Sequence, residues 1–230
     1  MVELTKRHEQ KYIISNIDYT VISRKLNHLL VRDQYSTEQP YTITSLYYDD
    51  IYNSALKQKI DGDNYRYKYR IRYYNKSRTL FKLEKKEKIH QITNKESFIL
   101  SREDIVSITN GDIEVLLTKE NPLCFEFYQQ IKRGLLKPKV IVEYERLAFV
   151  HRVGNVRITF DTNIKATLHN CDLFNDNLLY TKVLEPNEVV MEIKFNGEIP
   201  YYLKSILQVS GNPQTSMSKY VYSRKFNYIK

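Results

Sequence analysis

Residues 65–75 read YRYKYRIRYYN, with Arg66, Lys68, Arg70 and Arg72 at every second position and Tyr65, Tyr67, Tyr69, Ile71 and Tyr73 between them. In an extended strand, residues two apart share a face and stand roughly 7 Å from one another. The spacing therefore places cations on one side and mostly aromatic rings on the other. The same alternation recurs along the chain: Lys82, Glu84, Lys86 and Lys88; Arg7, Glu9 and Lys11; Glu192 and Lys194; Arg157, Thr159 and Asp161; Tyr144 and Arg146. The intervening positions are apolar or aromatic, as in Phe81 and Leu83, Ile158 and Phe160, and Met191, Ile193 and Phe195.

For any single strand, a solvated face is the ordinary explanation of such a pattern. A set of strands rich in long cations and carrying glutamates, where exposed faces would also use Thr, Ser, Asn and Gln, points to convergence inside a curled sheet. Two like charges about 7 Å apart repel by roughly 2 kcal/mol at an effective dielectric near 20. Such a lining needs carboxylates and a bound polyanion among its cations. Nucleic acid is the competing ligand, but tyrosines on the opposite face cannot stack on the ligand that the cations hold. Glu9, Glu84 and Glu192 would also repel a phosphate backbone unless a divalent cation lay between carboxylate and phosphate. Metal plus polyphosphate accounts for both signs of charge, and no nucleic-acid partner is expected.

The elements that must position these residues follow from periodicity. NIDYTVISRKLNHLLVRD spaces Val21, Ile22, Leu26, Leu29 and Leu30 as an amphipathic helix with Asp18 as its cap. YTITSLYYD is extended, IYNSALKQKI is a short helix ended at Gly62, and RTLFKLEKKEKIHQITNKESFIL gives two strands with a break near Asn94. Ser101 and Asp104 open a further helix with a capping pattern interrupted at Gly111, and CFEFYQQIKRGLL is another helix. Strands at KVIVEYERLAFV, NVRITFDTNI and VVMEIKFN precede helices at YYLKSILQV and SKYVYSRKF. Many antiparallel-looking strands with few helices between them indicate an α+β fold with a large sheet or barrel.

The chain of 230 residues, 42% hydrophobic, is long enough for a full core, and no repeat or low-complexity linker marks a domain boundary. Its net charge of +9 favours anionic ligands. The charged N-terminus lacks the apolar core of a secretory signal, and no window approaches the roughly 18 apolar residues of a membrane span, so a cytoplasmic protein is expected. Cys124 and Cys171 are isolated and read as free thiols, and the histidines form no cluster. Tyr47 and Tyr48 read as packing residues rather than substrate contacts.

Taken in order from residue 7 to residue 220, the segments RHEQKY, LYYDDIYNSALKQKIDG, YKYRIRYYN, LEKKEK, KES, VEYERLAF, VRITFD, VMEIKF and SMSKY resemble the vacuolar transporter chaperone (VTC) domain. This is the polyphosphate polymerase branch of the triphosphate tunnel metalloenzyme (CYTH-like) superfamily, and the form that the chain resembles is the stand-alone bacterial one. The resemblance implies an α+β fold, an antiparallel eight-stranded β-barrel tunnel with flanking helices, with residues 1–230 as one domain. It implies transfer of the ATP γ-phosphoryl group to a growing inorganic polyphosphate chain with Mn2+ or Mg2+. On matching positions, Lys11, Arg70, Arg72, Lys86, Arg146, Arg157 and Lys219 are the phosphate-binding, catalytic cations. Lys57, Lys59, Lys68, Lys95 and Ser218 are additional substrate contacts, with Glu192 as metal ligand and Glu9 as a second one.

The hydrolytic members of the superfamily carry Glu-x-Glu-x-Lys near the N-terminus, where this chain has Arg7, Glu9 and Lys11. Losing one carboxylate favours a single metal and a second phosphate chain over two metals and an activated water. A triphosphatase that hydrolyses triphosphate or nucleoside triphosphates, and a non-catalytic polyphosphate sensor, are the alternatives. Export of the polymer would require a membrane partner protein to supply the conducting segment.

Overall fold

A computed structural model describes residues 7–36, 39–90, 92–208 and 213–225. In chain order the elements are β1 (Arg7–Ser15), α1 (Asn16–Leu29), β2 (Val31–Arg32), β3 (Tyr41–Asp49), α2 (Ser54–Asp61), β4 (Tyr65–Tyr74), β5 (Ser77–Ile89) and β6 (Ile92–Ser101). There follow α3 (Arg102–Thr109), α4 (Pro122–Lys132), β7 (Lys137–His151), β8 (Val156–Thr167), β9 (Tyr180–Lys182), β10 (Glu188–Asn196), α5 (Tyr201–Leu207) and α6 (Lys219–Lys225). A 3-10 turn at Glu114–Lys119 precedes α4. The architecture is α+β. Eight strands lie along one path of hydrogen-bonded neighbours, in the order β1-β10-β8-β7-β3-β4-β5-β6, with β2 on β7 and β9 on β8 beside it. Among the described residues this path is not closed into a barrel, and the Thr215 N–H donates to the Lys11 carbonyl at 2.8 Å.

The chain divides into two compact units. Unit one comprises residues 1–42, 144–164 and 182–218, and unit two comprises residues 43–143, 165–181 and 219–230. In unit one, β10 pairs antiparallel with both β1 and β8, so that Lys11 lies opposite Glu192 and Glu192 opposite Thr159. The face that carries Ile14, Ile158, Phe160, Met191 and Ile193 packs against Ile22 and Leu26 of α1 and Leu203 of α5. The cap of α1 is Ser15 rather than Asp18. The Asp18 N–H donates to the Ser15 hydroxyl at 3.1 Å, and that hydroxyl donates back to the Asp18 carboxylate at 2.7 Å. Asp18 therefore serves the first turn from inside the helix.

In unit two, β4 lies between β3 and β5, and β5 pairs with β6. Asn75 and Lys76, with φ of 52° and 56°, form the two-residue turn between β4 and β5, a left-handed conformation whose twist suits a hairpin. The break between β5 and β6 falls at His90, φ 52°, not near Asn94. Tyr69, Ile71, Tyr73, Phe81 and Leu83 join Ile105 of α3 and Leu123, Cys124 and Phe127 of α4 in the core. The capping box expected at Ser101 and Asp104 is present. Asn121 caps α4, whose first residue is Pro122. Both cysteines are free, and burial pushes each thiol up to about 11. No helix among the described residues is long and apolar enough to cross a membrane.

Phe127 is fully buried against Tyr48 and Tyr69, with ring centroids 5.0 and 5.4 Å away. Phe127→Ala is expected to destabilise the protein by about 3–5 kcal/mol, measured by urea denaturation.

Candidate anion-binding site

In unit two the pleat turns Arg66, Lys68, Arg70 and Arg72 away from the core, and the register matches them to β5. Arg66 lies opposite Lys88, Lys68 opposite Lys86, Arg70 opposite Glu84, and Arg72 opposite Lys82. Lys86 is in turn opposite Lys95 of β6, so Lys68, Lys86 and Lys95 form one row of ammonium-bearing residues across three strands. Like charges in directly opposed positions destabilise a sheet. The row beside them contains the compensating group. Glu84, only 1% exposed, holds the Arg70 guanidinium at 2.6 Å, that of Arg72 at 3.7 Å and the Lys95 ammonium at 2.5 Å.

Burial by itself would push the Glu84 carboxyl up, but Arg70 and Arg72, followed by Lys95, hold it down at about 2. Lys95 is half-exposed, and partial desolvation lowers its pKa, with Arg70 and Arg72 adding to the effect against the pull of Glu84. The guanidiniums are further braced from β3, Arg70 donating to the Tyr47 hydroxyl at 3.3 Å and Arg72 to the Ser45 hydroxyl at 3.3 Å. Tyr47 is buried and stacks on Tyr220 of α6 at 5.3 Å, while the Lys68 ammonium and the Arg70 guanidinium lie 5.8 and 5.9 Å from its ring centre. It packs against a helix, as its sequence suggests, and also braces the cation row. α6 is anchored where the Tyr220 hydroxyl donates to the buried Asp49 carboxylate at 2.6 Å. Asp49 also accepts the Ala55 and Leu56 N–H groups that begin α2.

In unit one the charges are paired differently. Arg146 grips the fully buried Asp161 with two hydrogen bonds of 2.6 and 2.8 Å. Burial would lower the Arg146 pKa, but Asp161 outweighs it and raises it well above the ordinary value. The Arg157 guanidinium pairs with Asp33 at 2.7 Å and donates to the Tyr41 hydroxyl at 3.4 Å. Lys11 lies 2.8 Å from Glu9 and 3.8 Å from Glu192, while Lys194 pairs closely with Glu192 and lies 3.9 Å from Glu9. Two carboxylates and two ammonium groups thus alternate. Burial would lower the pKa of Lys11, yet Glu192 and Glu9 raise it.

Of the residues expected from sequence, the fold brings Arg70, Arg72, Lys68, Lys86 and Lys95 together on the β4–β6 face. Within unit one, Lys11, Glu9 and Glu192 are neighbours. Lys57 and Lys59 belong to α2 and not to a strand face, Lys57 exposed and Lys59 half-buried. Lys219 is the half-buried first residue of α6, and Ser218 before it is buried with no hydrogen-bond partner for its hydroxyl among the described residues. Asp33, Tyr41, Ser45 and Tyr47, which orient the arginines, were not singled out as site residues. Sequence spacing carries no signal for partners so far apart along the chain.

Glu9 and Glu192 supply hard oxygen atoms, each already facing the Lys11 and Lys194 ammonium groups; a divalent cation would be held here only with those lysines displaced. No group of three or more His, Cys, Asp or Glu converges among the described residues. An ion held by these carboxylates would therefore complete its coordination with phosphate and water oxygens.

Comparison with known proteins yields a family model described as the VTC domain, which matches residues 6–228. A search of curated proteins finds no match. Among solved structures, a Vibrio parahaemolyticus protein provisionally described as an adenylate cyclase aligns with a TM-score of 0.45 and 11% identity over 88% of this chain and 84% of its own. A Bacillus halodurans protein of the same provisional description gives 0.46 and 13% over 88% of both chains. A Pyrococcus horikoshii protein gives 0.44 and 13% over 87% of this chain and 85% of its own. These likenesses are too distant to bear on function.

Because the folded pKa of Glu84 lies below its ordinary value of 4.5, its stabilisation is fully present above that pH and is lost as pH falls toward 2. Wild type is expected to exceed Glu84→Gln in unfolding free energy by about 3 kcal/mol near neutral pH, with the gap closing between about pH 5 and pH 2. Urea titrations of both proteins across that range measure it.

Proposed function

The chain belongs to the VTC-domain family, and from that premise we propose that it is a metal-dependent polyphosphate polymerase. It would transfer the γ-phosphoryl group of ATP to the end of a growing inorganic polyphosphate chain, with residues 1–230 acting as one functional domain. The observation that carries this reading is the row Lys68, Lys86 and Lys95 beside Arg70 and Arg72, with the single buried carboxylate Glu84 among them. A sheet face so loaded with cations favours a ligand with negative charge at short, regular intervals. Linear polyphosphate has that property.

The attacking group in this reaction is a terminal phosphate oxygen, already anionic at neutral pH, so the chain needs no general base. The oxygen forms a bond to the γ-phosphorus as the bond from that phosphorus to the β–γ bridging oxygen breaks, and ADP leaves. Catalysis then reduces to alignment and to stabilising charge on the moving group. Arg70 and Arg72 provide planar forks for bidentate contacts, already oriented by Glu84, Tyr47 and Ser45. Arg146 and Arg157 are fixed in the same way by Asp161 and Asp33. Lys11, Lys86 and Lys219 act as point charges. Glu192 and Glu9 are the residues that would hold a divalent ion, which would supply positive charge to phosphate oxygens. The reading places the protein in the cytoplasm, where ATP is available, with any conduction of product assigned to a membrane partner.

With γ-labelled ATP and Mn2+ or Mg2+, label is expected in long acid-labile chains resolved by gel electrophoresis. Its appearance only as orthophosphate would replace the polymerase reading with a triphosphatase. Arg70→Ala and Arg146→Ala are each expected to lower kcat/KM by about 10²–10³-fold. Glu192→Ala should abolish turnover while tripolyphosphate still binds. Absence of turnover in the wild type, with binding intact, would identify a sensor.

A further inference from the structure

Within unit two, Ser45, Tyr47 and Asp49 stand two apart on β3 and so share one of its faces. The register sets Ser45 opposite Arg72 and Tyr47 opposite Arg70. Tyr47 is 2% exposed, and Asp49 and Tyr220 of α6 are each 1% exposed, so none of the three is open to a ligand. They are nevertheless joined in a chain that ends on a cation of the proposed site. The Tyr220 hydroxyl donates to the Asp49 carboxylate at 2.6 Å, the Tyr220 ring stacks on Tyr47 at 5.3 Å and 28°, and the Tyr47 hydroxyl accepts from Arg70 at 3.3 Å.

Each link constrains the next. Asp49 is fixed, because its oxygens also accept the N–H groups of Asp50, Ala55 and Leu56. A phenylalanine would fill the space of the Tyr220 ring, and burying a hydroxyl costs stability unless it is hydrogen-bonded, so the bond to Asp49 is what that oxygen adds. Stacking on Tyr220 then fixes the plane of Tyr47 and with it the direction of its hydroxyl. Glu84 holds the Arg70 guanidinium at Nε and Tyr47 receives Nη1, so the two partners set the orientation of the fork. The helix is tied down at a second point, where Arg224 donates to Asn53 Oδ1 at 3.1 Å in front of α2, and it carries Lys219 directly before Tyr220.

We infer that Tyr220 is a positioning residue of the anion-binding site: held by Asp49, it sets Tyr47, and through Tyr47 it sets the Arg70 guanidinium toward phosphate. The inference rests on the reading of Arg70 as a phosphate-binding cation, and it requires energetic coupling between Tyr220 and Arg70. Calorimetric titration of the full chain with tripolyphosphate is carried out on wild type, Tyr220→Leu, Tyr220→Phe, Arg70→Ala and the two double variants, and urea unfolding is followed for each. With Arg70 present, Tyr220→Leu is expected to weaken binding by about tenfold, and Tyr220→Phe, which keeps the ring, by about threefold. In the Arg70→Ala background each substitution is expected to change affinity by less than about twofold. Equal weakening with and without Arg70, or lowered stability with affinity unchanged, would mean that Tyr220 only packs the helix, and either result overturns the inference. Should Tyr220→Leu not fold, the Tyr220→Phe cycle decides between the same outcomes. Arg70→Ala without loss of affinity would overturn the reading of that residue and the inference with it. Failure of the polymerase reading would appear elsewhere, as tripolyphosphate binding without chain synthesis.

Discussion

A carboxylate removed from water and surrounded by guanidinium and ammonium groups is what permits a β-sheet face to be built from cations. Arginines and lysines at opposed positions on neighbouring strands repel one another, and an internal counter-charge removes that cost. Glu84 has this role in unit two. In unit one Asp161 serves Arg146, Asp33 serves Arg157, and Glu9 and Glu192 share Lys11 and Lys194. Each carboxylate also restricts the long side chain it holds, so that the cation keeps little rotational freedom. Arg70 illustrates this, since Glu84 and Tyr47 fix two edges of one guanidinium.

The reverse face of the same strands provides the stability that this arrangement requires. Tyr69, Ile71 and Tyr73 alternate with the cations of β4 and are buried under α3 and α4. A strand with a two-residue period can satisfy a core and a charged surface together only if its register does not slip, because a shift of one residue would exchange the faces. Between β4 and β5 the register changes once, at an irregularity between Arg72 and Tyr74, and is then uninterrupted from Arg72 opposite Lys82 to Tyr65 opposite Ile89. Lys85, a cation of β5 on the core side, is matched there by Glu126 of α4 at 2.7 Å.

Much of this was legible in the sequence because it depends on local periodicity. The alternation in β4, β5, β8 and β10, the capping box at Ser101 and Asp104, and the helix end at Gly62 require only neighbours along the chain. Family membership was legible for a similar reason, since its motifs are short and ordered. What could not be read depends on distant pairings or on backbone dihedrals. Asp18 resembled a cap because it opens the apolar pattern, yet Ser15 takes that position and Asp18 pairs with it. The break between β5 and β6 was expected at Asn94, but His90 is the residue that adopts a positive φ. Asp33 meets Arg157 from a distant part of the chain, and the positive φ of Asn155 at the β7–β8 turn has no signature in the apolar spacing.

The contact between Asp49 and Tyr220 spans 171 positions of sequence. During synthesis, β3 through β6 leave the ribosome long before α6, so Tyr47 lacks its stacking partner and Asp49 has only the start of α2 to hold. The cation cluster is thus assembled on a scaffold whose final brace arrives late. Until α6 is made, the face therefore stands with Tyr47 unstacked and Asp49 short of one donor.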